Sequence, residues 1–159
     1  PLLKIAKNAK LLLNNQDFSD VFAVYEFEPG AQLNAESSLP LFTSNLVGAP
    51  TILDNVTTYT VNGSFTARAA DLVAGKSLTA AKAFALGANC TVDVDDPDAL
   101  PLRANGRLAQ YVLATAEGGI TGKPVKGANL AETTWQLRLV DDGKTLLLAQ
   151  PESTFLILR

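Results

Sequence analysis

The stretch VTTYTVNGSFTAR, residues 56–68, decides the reading of the fold. Two runs rich in β-branched and aromatic residues flank Asn62-Gly63. Asn-Gly between such runs is the strongest short hairpin signal, because both residues of the tight turn need positive φ. The spacing predicts two antiparallel strands. Tyr59, Val61, Ser64 and Thr66 would share one face, and Phe65 and Ala67 the other.

The flanking segments continue the β pattern. VFAVYEFE, residues 21–28, alternates Val21, Ala23, Tyr25 and Phe27 against Phe22, Val24, Glu26 and Glu28, and Pro29-Gly30 ends it. Strand returns at Cys90–Val94 and at Leu108–Ala114. The C-terminus reads as a three-strand meander: TTWQLRLV, the turn Asp141-Asp142-Gly143, KTLLLA, then Gln150-Pro151-Glu152 and STFLILR. About seven to nine short strands at regular spacing indicate a mainly β fold, an antiparallel sandwich or barrel, with α+β as the alternative. No repeat stands out.

Three segments interrupt the pattern. Residues 29–55 show little periodicity and read as a long irregular segment. Its Leu33, Leu39, Leu41, Phe42, Leu46, Val47, Ile52 and Leu53 need an apolar surface, on this chain or on a neighbour. Residues 69–87 are Ala-rich; Ser77 suits a helix N-cap and Gly87 a helix end. Residues 2–14 place Lys4, Lys7 and Lys10 three apart, beside Ile5, Ala9, Leu12 and Leu13. That is a short amphipathic pattern for a helix or strand packing one face on the domain. The expected organisation is an N-terminal arm or short helix over 1–20 and a single β-rich domain over 21–159.

Composition narrows the functions. Hydrophobic residues are 47% of the chain and charged residues 18%, a globular balance with a lightly charged surface. The net charge is −3, which gives nucleic acid no basic footprint. The apolar runs fall short of the about 20 residues that a spanning helix needs. Histidine is absent. That excludes Ser-His-Asp and Cys-His catalysis within the chain, and histidine zinc sites with it. One cysteine, Cys90, allows no intrachain disulfide and reads as a small buried hydrophobe.

Several motifs invite chemistry. Gly75-Lys76-Ser77 ends a run close to the phosphate-binding loop, but Ala70 stands where that loop has its first glycine. Asp93, Asp95, Asp96 and Asp98 crowd four carboxylates into six residues, as a hard cation would want, without the spacing of a calcium loop. Glu26 and Glu28 share a strand face, the geometry of paired carboxylates in sugar hydrolysis, and equally of a solvent face. Asn55, Asn62 and Asn89 begin Asn-x-Ser/Thr sequons. The opening PLLKI resembles the start of the tautomerase superfamily, which implies Pro1 as a catalytic base. The resemblance covers about five residues, and the β-rich remainder departs from that family's strand–helix–strand pattern.

None of these is a catalytic constellation, so no catalytic, metal or cofactor residue is assigned. The expected function is that of a non-enzymatic structural or interaction protein in a symmetric assembly, by type a virion component such as a capsid, decoration or tail protein. Its partners would be proteins, its own copies first, with no nucleic acid and no membrane. The alternatives are a secreted carbohydrate- or ligand-binding β-domain that uses calcium at Asp93–Asp98, and an enzyme built on Pro1.

Overall fold

The computed structural model describes residues 1–13, 23–35 and 41–151. The chain is mainly β: among the described residues there are sixteen short strands and two short α-helices, α1 (Ala69–Val73) and α2 (Ala128–Ala131). Most strands fall into two sheets of seven. One contains β1 (Leu2–Ile5), β3 (Val24–Phe27), β5 (Leu41–Gly48), β7 (Thr58–Ala67), β9 (Ala83–Leu86) and β14 (Ile120–Thr121), in that order, with β10 (Thr91–Val94) also on β7. The other runs β2 (Lys10–Leu12), β4 (Gln32–Asn34), β6 (Thr51–Ile52), β8 (Leu78–Ala80), β13 (Gln110–Ala116), β16 (Thr145–Ala149) and β15 (Gln136–Val140). A small separate ribbon pairs β11 (Arg103–Ala104) with β12 (Arg107–Leu108).

Strand direction departs from the expected antiparallel sandwich or barrel. Both sheets are built of parallel neighbours from their N-terminal edges as far as β14 and β13. Antiparallel pairing is left to β13–β16, β15–β16 and the small ribbon. Consecutive strands up to β9 alternate between the sheets, so the chain winds as a coil, one strand in each sheet per turn. Short corners make this geometry available. At Lys7-Asn8 and Pro29-Gly30 the chain turns with positive φ at Asn8 and Gly30. Corner amides then bond from one turn of the coil to the next: Asn8 to the Pro29 carbonyl, Gln32 to Ala9, Thr51 to Ala31 and Thr79 to Pro50.

Strands of the two large sheets turn residues inward, and these stack in columns. Tyr25, Leu46, Phe65 and Val92 align in one sheet, and Leu33, Ile52, Ala80 and Ala116 in the other. These residues belong to one continuous buried cluster. Phe27, Phe65 and Phe84 are wholly buried within it. Each contributes roughly 1.5–3 kcal/mol over an exposed position.

Several local expectations change accordingly. Asn62-Gly63 does not turn the chain; both residues lie inside the ten-residue strand β7. Tyr59, Val61, Phe65 and Ala67 are all buried, so alternation runs through Asn62-Gly63 unbroken. The β5–β7 register shows why the motif sits there. Thr43 pairs with Val61 and Asn45 with Ser64, so β7 carries one extra residue, a bulge. A Cβ on Gly63 would meet the Ser44 carbonyl oxygen at 2.7 Å. The glycine thus answers a close backbone approach and not a hairpin turn.

Segment 29–55 is not irregular where it is described. It holds β4, β5 and β6, and Leu33, Leu41, Leu46 and Ile52 are buried in this chain's own core. Leu39 lies outside the described residues. The Ala-rich segment is helical only over Ala69–Val73; Leu78–Ala80 and Ala83–Leu86 are strands, so Ser77 and Gly87 cap nothing. Within the expected N-terminal arm, residues 2–12 hold no helix, and β1 and β2 form the first turn of the coil.

At the C-terminus the turn at Asp141-Asp142-Gly143 stands, with positive φ at all three residues. It joins β15 to β16. Among the described residues β16 pairs with β15 on one side and β13 on the other; the expected third strand, STFLILR, falls within the residues that follow. Residues 152–159 lie outside the described residues.

Candidate functional site

The four aspartates divide by role. Asp93 is nearly buried at the inner end of β10. Its Oδ1 accepts from the Leu130 and Val94 amides, and its Oδ2 from the Asn129 amide, each at 3.0 Å. Asn129 and Leu130 lie in the first turn of α2, so Asp93 caps a helix that follows it by more than thirty residues. Asp95 does the same for α1, accepting from the Ala69 amide at 2.8 Å. Asp96 and Asp98 are exposed beside a short 3₁₀ turn, Pro97–Ala99. Two carboxylates of the run are therefore committed to backbone donors. Among the described residues no three acidic or cysteine side chains converge on one point.

Gly75-Lys76-Ser77 stands at the wrong end of its helix for a phosphate loop. It follows α1, with Gly75 at φ 75° and the Lys76 amide bonded back to the Asp71 carbonyl at 2.8 Å. A phosphate loop precedes its helix and aims the free N-terminal amides at the ligand. Here the first helical amide, Ala69, is taken by Asp95. The segment instead lines an open cleft of about 370 Å³ with Lys7, Asn8, Pro29, Gly30 and Ala49, corner residues of successive turns. A second cleft of about 550 Å³ lies across Thr51, Thr79 and Thr115 of the second sheet.

Glu26 and Glu28 point outward as expected, and each has a cation. The Arg68 Nη2 lies 2.7 Å from Glu26 Oε1, while its Nη1 donates to the Phe27 carbonyl at 2.5 Å and lies 3.6 Å from Asp71 Oδ2. Lys4 Nζ lies 2.8 Å from Glu28 Oε1. The Lys4 bond holds the Glu28 carboxyl below its usual range and pushes the Lys4 ammonium above its own. A glycosidase needs one of the two carboxyls protonated as the acid. Glu28 sits instead beside Lys4, which favours its charged form.

The other candidates are structural or peripheral. Pro1 is exposed; its carbonyl accepts from the Ala23 and Val24 amides and starts the β1–β3 ladder. Cys90 is buried as expected, and burial pushes its thiol up to about 11, away from nucleophilic use. Asn55 is half-buried, its amide bonded to the Asn34 side chain and its Oδ1 accepting from the Ala35 amide at 3.3 Å. Asn62 and Asn89 are exposed.

The structure brings no two of these groups into a reacting pair. It does show a feature the sequence did not announce: the coil has two unlike ends. The C-terminal end carries the antiparallel hairpin β15–β16. At the N-terminal end β1 pairs only with β3, and β2 only with β4, among the described residues. Pro1 and Ile5 turn their carbonyls toward β3. By strand alternation Leu2 and Lys4 aim their backbone N–H and C=O groups at the open edge. Leu2 and Leu12 at this end are 56% and 42% exposed. Among the described residues no helix is long and apolar enough to cross a membrane. No protein-family model, no curated protein and no solved structure matches this chain.

Proposed function

We propose that this chain is a non-enzymatic structural protein that works by joining other protein chains, its own copies first, in a symmetric assembly. A virion capsid, decoration or tail component is the setting that fits it by type. One observation carries the reading: among the described residues the outer edges of β1 and β2 have no partner strand, and Leu2 and Leu12 are exposed beside them. An open edge is a template for another strand. Stacked coils need a cap at each end for the same reason. The light charge load supports the reading too, since interface cores are depleted of charge.

Sedimentation velocity over a wide concentration range tests it. The expected result is a species heavier than the 16.8 kDa of one chain, growing with concentration. A single monomeric boundary at every concentration would remove the self-association on which the proposal rests.

A further inference from the structure

We infer that the corner cleft between Lys7 and Lys76 binds a linear acidic oligosaccharide, a sugar chain that carries carboxylate or sulfate groups. The inference goes beyond the assembly reading and does not rest on it. Four successive connections between the sheets wall the cleft, from Lys7-Asn8 to Lys76-Ser77, with Thr51 and Thr79 beside them. Its volume, about 370 Å³, suits a small-molecule ligand. Backbone bonds fix its walls. The Asn8 amide donates to the Pro29 carbonyl at 3.2 Å, and the Lys76 amide to the Asp71 carbonyl at 2.8 Å. At Gly30 the missing Cβ leaves the room that the Asn8 side chain fills.

Charge selects the class of ligand. Lys7 and Lys76 are exposed and line the cleft, with no carboxylate among its described lining residues. Neither lysine has an ion-pair partner among the described residues. Glu28, whose charge Lys7 favours, is bonded to Lys4 at 2.8 Å. Asp71, in the helix before Lys76, is buried and faces Arg68. Lys10 is exposed at the head of β2 and aligned, through Gln32, with Thr51 and Thr79. This cationic corner belongs to a chain of net charge −3, so it is a local feature and not a bulk one.

Spacing selects the length of the ligand. Lys7 precedes β2 and Lys76 precedes β8, three strand spacings apart in the second sheet. At about 4.8 Å each that is roughly 14 Å. A single phosphate or sulfate ion is too short to meet both lysines, and a chain with repeated anionic groups is not. Between the lysines Asn8, Ser77, Thr51 and Thr79 offer groups that both donate and accept, as sugar hydroxyls require. A nucleic-acid strand stacks its bases on aromatic rings, and none is among the described lining residues. An acidic peptide adds to a sheet through a free edge, but β6 and β8 are paired on both sides.

Calorimetric titration of the 159-residue chain at low ionic strength tests the site. The probes are a hexagalacturonate and a heparin hexasaccharide, with neutral cellohexaose as the control. At least one acidic probe is expected to bind and cellohexaose not to, with affinity falling as salt is raised. Binding of the uronate alone assigns carboxylates to the ligand, and binding of heparin alone assigns sulfates. Lys7→Gln and Lys76→Gln are each expected to weaken binding about three- to fivefold, the worth of one exposed ion pair. Lys144→Gln, at the turn between β15 and β16, is expected to leave it unchanged. No binding by either acidic probe, equal binding of cellohexaose, or equal losses from all three variants overturns the site. An oligothymidylate or a poly-glutamate that binds as tightly as the better sugar overturns the sugar assignment. Sedimentation of the unliganded chain decides the assembly reading separately, so either inference can fail alone.

Discussion

At Asp93 a single carboxylate holds three backbone amides, two of them in the first turn of α2. Charge-assisted bonds to backbone donors are among the stronger ones, and a buried donor left without an acceptor costs about 1–3 kcal/mol. Asp93→Ala is therefore expected to lower stability by about 2–3 kcal/mol, read as a fall in the urea midpoint. Asp95→Ala removes one bond from an exposed carboxylate to Ala69 and is expected to cost about 1 kcal/mol. Equal small effects from both would contradict the capping role. The acidic run itself is plain in the sequence. Its use is not, because the helix amides it binds belong to residues 69, 129 and 130, and no local pattern links a carboxylate to a helix start that far away.

The strands are the elements that the sequence reveals most readily. Alternation correctly puts Tyr25 and Phe27 inward and Glu26 outward in β3, and it places β10, β15 and β16 within one to three residues. What alternation cannot convey is the direction of the partner strand. Parallel strands covered on both faces read as continuous apolar runs. Here one face of each strand is outside, so the strands alternate just as antiparallel ones do. The Asn-Gly signal misleads for a related reason, since a bulge and a tight turn both recruit small or flexible residues. Gly63→Ala separates the two physically. In β7 the added Cβ meets the Ser44 carbonyl oxygen and Asn45 Oδ1, both at 2.7 Å. Backbone on one side cannot yield cheaply, so a loss of about 1–3 kcal/mol in thermal or urea unfolding is expected. A neutral substitution would mean that β5 and β7 do not approach this closely.

At the scale of the molecule, the coil hides from sequence because its turns differ in length. The stacked positions Lys10, Gln32, Thr51, Thr79 and Thr115 are separated by steps of 22, 19, 28 and 36 residues. The longest step holds the small ribbon β11–β12 and the 3₁₀ turn. The common core leaves a signature that belongs to the whole fold: two of its titratable groups, Cys90 and Tyr59, are pushed toward their neutral forms. Burial pushes the Cys90 thiol up to about 11 and the Tyr59 hydroxyl above its ordinary range. In the unfolded chain these groups ionise near pH 8.5 and pH 10. Both shifts are upward, so the folded chain holds its protons more tightly. Their contribution is complete below about pH 8.5 and is lost as pH rises through the unfolded values toward the folded ones. Each group then adds a slope of up to about 1.4 kcal/mol per pH unit. The urea midpoint is expected to fall between pH 8 and pH 10.5, first through Cys90 and then through Tyr59. Cys90→Ala should start lower but run flatter from pH 8 to pH 10, where only the thiol titrates. A parallel offset across the whole range, with the slope unchanged, would show that Cys90 is not shielded in the fold and that the coil's interior is open to water at that turn.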